Sequence, residues 1–142
     1  MKDFDKIYRL AVFDALSGIS APVYDEVKKV GDSDTLFVLL GSQRTKREPV
    51  ADHLWARRCS IELIITQKTE SGVSKDDIDD VADEILEVLF PSYDSFGVTA
   101  PGLFQFTAEE FETSQTNRIV LSTDKSIIAK TLTISCVIIQ QL

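Results

Sequence analysis

Apolar residues along the chain repeat at helical spacing in two segments and cluster or alternate in the rest. In residues 3–17, Phe4, Ile7, Leu10, Ala11 and Ala15 recur every three to four positions, which predicts a helix. Asp3 and Asp5 sit at its start, where the helix dipole favours negative charge, and Gly18 is a natural stop. Residues 19–30 read two ways: Ala21-Pro22 favours extended chain, whereas 25–29 can form a helical turn. After the turn cluster Gly31-Asp32-Ser33-Asp34, the run TLFVLL at 35–40 predicts a strand covered on both faces and ended by Gly41-Ser42. Residues 43–58 are polar and basic around Pro49, as either a long loop or an irregular hairpin.

The segment CSIELIIT at 59–66 predicts a second strand, with Ile61, Leu63 and Ile65 on one face. Ser74 then opens the clearest element. Ser74-Lys75-Asp76-Asp77 has the form of a helix cap, and Ile78, Val81, Ala82, Ile85, Leu86 and Leu89 follow in one apolar stripe that stops before Pro91. Residues 91–101 are rich in turn formers, 103–107 is a short strand, and 118–122 and 126–141 form a hairpin around Thr123-Asp124-Lys125. Helix, two strands, helix and further strands make an α+β fold: a mainly antiparallel sheet with two principal helices packed on it and a long C-terminal strand. That last strand, extended at about 3.3 Å per residue, spans about 53 Å. A compact chain of 142 residues is only about 37 Å across. The strand therefore either bends within one core or reaches onto a neighbour by strand addition, with Val137 and Ile139 in its two-sided apolar end.

Length bounds the rest: 142 residues fit a single domain with its own core. The proportions, 44% apolar and 27% charged, are those of a folded domain and not of a disordered chain. No apolar run reaches the roughly 18–20 residues of a membrane helix, and MKDFDKIYRL lacks the layout of a signal peptide, so synthesis in a reducing cytoplasm is expected. Cys59 and Cys136 lie in apolar strand runs, which favours buried free thiols over a disulfide. The net charge of −8 disfavours wrapping nucleic acid. Arg44, Lys46, Arg47, Arg57 and Arg58 nevertheless crowd one stretch, and acids dominate after it. Such asymmetry suits contact between copies, or simply a solvated surface.

Catalytic signatures do not emerge. His53 has no nucleophile motif beside it, the glycines are isolated, and one His with two distant Cys does not make a zinc site. Asp76, Asp79, Asp80, Asp83, Glu84 and Glu87 lie opposite the apolar stripe of the second helix. They read as a solubilising face or as an acidic channel lining that repels DNA phosphate. Trp55, between His53 and Arg57, is either an interface anchor or a core residue. No cofactor or metal is expected.

The phrases RLAVFDALSG, APVYDEV, TLFVLLGS, CSIELIIT, DDIDDVADEILEVLF and NRIVLSTDKSIIAKTLTISCVII, in that order, resemble the small tail-completion and tail-terminator proteins of tailed bacteriophages. The resemblance covers nearly the whole chain. It departs from their pattern at Asp34-Thr35, where a proline usually precedes the first apolar strand, and in the long basic connection at 43–58. The resemblance implies a virion protein without catalytic residues. Such a protein is made in the bacterial host cytoplasm and assembles as a ring of six or twelve copies at the head–tail junction or tail end. Its implied partners are other neck, connector or tail-tube proteins, with DNA passing through without specific binding. Arg44, Lys46, Arg47, Trp55, Arg57, Arg58, Val137 and Ile139 are then subunit-interface candidates, with the acidic helix as their counterpart or as the channel wall. The alternative is a regulatory α+β module that binds a small molecule.

Overall fold

A computed structural model of the chain describes residues 3–25, 31, 35–47, 54–69, 76–92, 95–114, 117–120 and 126–141. Two helices, α1 (Phe4–Ala15) and α2 (Asp76–Leu89), accompany six strands. These are β1 (Val23–Tyr24), β2 (Leu36–Arg47), β3 (Leu54–Thr69), β4 (Phe104–Thr113), β5 (Asn117–Val120) and β6 (Ser126–Gln141). The strands form one mixed sheet in the order β1-β2-β3-β6-β4, with β5 also on β6. Only the β1–β2 pair is parallel. The fold is α+β, as the pattern predicts.

Asp3 caps α1, its carboxylate accepting from the Lys6 backbone N–H at 3.1 Å. Of the expected stripe in α1, Phe4 is buried and Ala11 and Ala15 pack against the core, whereas Ile7 is half-buried and Leu10 is 45% exposed; Tyr8, Val12 and Leu16 complete the buried face instead. The helix is apolar on most of its circumference, so sequence spacing alone does not choose the face. Tyr8 is selected because its hydroxyl has a partner inside, donating to the Ile134 carbonyl at 3.0 Å. In α2 the expected stripe holds: Ile78, Val81, Ala82, Ile85 and Leu89 are buried and Leu86 packs at its edge. Its capping sequence from Ser74 lies outside the described residues, as does the turn at 123–125.

The two central strands pair without a register break over their full lengths, from Leu54↔Gln141 to Thr69↔Ser126. Their alternation sorts side chains cleanly. Cys59, Ile61, Leu63 and Ile65 of β3 and Ile128, Leu132, Ile134, Cys136 and Ile138 of β6 are fully buried, and they join the helix stripes in one core. Both helices thus cover the same face, and no described element covers the other. Cys59 and Cys136 are directly opposed free thiols.

Two expectations change and one pair of alternatives is decided. Gly41-Ser42 does not end β2; it is a bulge where pairing slips between Leu40 and Gln43, after which the strand continues to Arg47. Residues 43–47 and 54–58 are thus paired strand, as the hairpin reading expects, and 48–53 lie outside the described residues. β4 runs beyond Thr107 to Thr113 through a second bulge, in which Ala108 has a φ of 50°. Finally, β6 does not reach onto a neighbour by strand addition. One of its edges is taken by β3 and the other by β4 and β5, so its backbone groups are satisfied within the chain.

Candidate functional site

With β6 enclosed, the sheet ends on β2 at one side and on β4 and β5 at the other. β1 is only two residues long and shields β2 at Val38 and Leu39. From 41 to 47 the outer edge of β2 has no strand partner among the described residues. Its side chains alternate. Gln43 and Thr45 turn to α1, where the Gln43 amide donates to the Asp5 carbonyl at 2.8 Å and the Thr45 hydroxyl to the Asp5 carboxylate. Arg44 and Lys46 are exposed on the other face.

The register concentrates positive charge at this end. Lys46 stands opposite Arg58, and Arg47 opposite Arg57. Like charges directly opposed across strands are destabilising. Part of the charge is compensated inside the chain. Arg58 pairs with Glu110 of β4 at 3.3 Å. The Arg57 guanidinium lies 6.0 Å from the Phe4 ring centre and donates to the Ala56 carbonyl at 2.9 Å. Trp55 takes its place in β3 opposite Gln140, and the side chains of Trp55 and Arg47 lie outside the described set, as does His53. Val137 is 5% exposed and Ile139 half-buried, both on the face away from the helices.

The opposite edge is acidic. Glu109, Glu110 and Glu112 fall within β4, which carries no basic residue. Phe111 is 45% exposed on the helix side and lies 5.1 Å from Phe90, ring centre to ring centre. These two rings floor a shallow depression of about 540 Å³ bordered by Ser92, Glu109 and Glu110. An adjoining one of about 310 Å³ is bordered by Asp83, Leu86 and Glu87. Two of the acids singled out on α2 are thereby brought to the β4 edge.

The other acids on α2 have different fates. Asp79 accepts from Lys130 at 3.0 Å. Glu84 accepts from both the backbone N–H and the hydroxyl of Ser20, each at 2.7 Å, tying the chain after α1 to α2. Asp80 is exposed, and the Asp76 side chain lies outside the described set. The Ser20–Glu84 contact and the acidic β4 edge escape sequence reasoning. The first joins residues 64 apart, with no local signal. The second was hinted at by AEEFET, whose alternation is broken by the bulge.

Three buried ionisable groups lie in the described interior, Tyr8, Cys59 and Cys136. Burial pushes the Cys59 thiol up to about 11 and the Cys136 thiol up to about 12, the neighbouring Cys59 adding to the latter. Burial likewise raises Tyr8 far above a normal phenol. Among the described residues no three His, Cys, Asp or Glu side chains converge to hold a metal ion, and no helix is long and apolar enough to cross a membrane.

Among the described residues the fold is a two-layer α+β arrangement with both helices on one face of the sheet and two sheet edges of opposite charge. A chain in the virion of a native gene transfer agent particle has the same fold: TM-score 0.57 at 14% identity, over 92% of this chain and 95% of that one. No family model matches this chain, and no curated protein sequence does.

Proposed function

We propose that the chain is a structural virion protein of a phage-like particle, acting without catalysis, and that copies of it form a ring at the head–tail junction or tail end. The observation that carries this reading is the nearly end-to-end likeness to the gene transfer agent virion chain. The edges support it as well. Two sheet borders of opposite charge suit repeated association of identical copies, which would in turn meet other neck, connector or tail-tube proteins. The ring would shape the passage for DNA, and the exposed acids, Asp80 among them, would keep phosphate from adhering.

Sizing chromatography coupled to light scattering tests the reading. Assembly into a discrete oligomer of six or twelve copies, alone or on addition of tail-tube or connector proteins, is the expected result. A protein that stays monomeric at high concentration and ignores those partners contradicts it.

A further inference from the structure

Resting on the ring reading, we propose that neighbouring copies join head to tail through the sheet, the basic outer edge of β2 in one copy lying against the acidic edge of β4 in the next. The charge count decides the pairing. Residues 41–47 contain Arg44, Lys46 and Arg47 and no acid; β4 contains Glu109, Glu110 and Glu112 and no base. A two-fold contact would set like edges together, three positive charges against three positive or three negative against three negative. Only the β2-to-β4 contact opposes unlike charges.

Charged residues and bulges are also the ordinary means by which sheet edges avoid pairing. That purpose alone is served whichever sign each edge carries. It does not account for opposite signs, which favour exactly one edge-to-edge pairing between copies. A contact between two different edges is never self-complementary, so it propagates and closes into a ring when the rotation per copy allows.

Two charge-reversed proteins test this: Arg44→Glu with Lys46→Glu, and Glu109→Lys with Glu112→Lys, which leaves the internal Arg58–Glu110 pair intact. Circular dichroism establishes that each is folded. In native mass spectrometry, at a concentration where the wild type is assembled, each variant alone is expected to lose the oligomer. Their equimolar mixture is expected to regain it with the two proteins alternating. Variants that assemble like the wild type, or a mixture that stays dissociated, overturn the interface while leaving the ring reading in place. A wild type that is monomeric under all conditions overturns both. If a variant fails to fold, hydrogen exchange of the wild type decides. Amides of 41–47 and of β4 should exchange more slowly as concentration rises. Exchange independent of concentration, in a protein that does oligomerise, places the contact elsewhere.

Discussion

Replacing Gly97 by alanine tests whether the connection after α2 is held as described. The chain turns back at this point, and the Gly97 N–H donates to the Leu89 carbonyl at 2.7 Å. A Cβ at Gly97 would stand 3.1 Å from the Val88 carbonyl carbon and closer still to its oxygen, inside the 3.0 Å that real Cβ atoms keep. The obstacle is helix backbone and cannot rotate away. Relief requires moving residues 95–98, which withdraws Phe96 and Val98 from the core. Overpacking costs about 1–3 kcal/mol when side chains can adjust, so a backbone clash belongs at about 3 kcal/mol or above. With an unfolding entropy of about 0.3 kcal/mol/K for a chain of this length, Tm should fall by about 10 °C. Gly41→Ala is the control. Its Cβ would meet the tip of the Ile64 side chain at 2.9 Å, which can turn aside, and a loss of about 1 kcal/mol is expected. Calorimetry that finds Gly97→Ala as stable as the wild type, or less damaging than Gly41→Ala, refutes the described path of the 91–98 connection.

Four further outcomes follow from the same contacts. Tyr8→Phe removes a buried hydrogen bond to the Ile134 carbonyl and should cost about 1–2 kcal/mol in denaturant unfolding. Cys59 and Cys136 should resist thiol reagents at pH 8 until the protein unfolds, because burial raises both thiols; rapid labelling of the native protein would contradict this. Their folded values lie above the ordinary thiol value of 9.0, so the unfolded chain loses these protons first. Stability should hold below pH 9 and fall as pH rises toward about 11–12. Asp79→Asn, which breaks an exposed pair with Lys130, should change stability by less than about 1 kcal/mol.

The sequence was legible where periodicity was unbroken. In α2 the apolar stripe is narrow, and in β3 Ile61, Leu63 and Ile65 alternate with Ser60, Glu62 and Ile64, so both emerge with the right faces. It misled where a bulge shifts the alternation by one. In β2 the core-facing positions pass from Val38 and Leu40 to Gln43 and Thr45, and in β4 from Phe104 and Phe106 to Phe111. The bulges carry both strands past the points where their apolar patterns stop, β2 through the turn formers Gly41-Ser42 and β4 beyond Thr107. The interface candidates divide the same way. Arg44 and Lys46 are exposed at a sheet edge, as their local sequence suggests. The contacts of Arg57 with Phe4 and of Arg58 with Glu110 depend on long-range pairing that no local pattern encodes. The long terminal strand raised the right question about what covers it; its apolar end lies between β3 and residues 104–107 of β4, a long-range pairing that no local pattern encodes.

Electron micrographs of the purified protein bear most directly on whether this chain works by assembling with itself. Closed rings with a central opening, made of six or twelve copies and dispersing as salt rises and screens the edge charges, are the expected images. A uniform field of single globular particles at every concentration and salt, with or without virion partners, would contradict the proposed function.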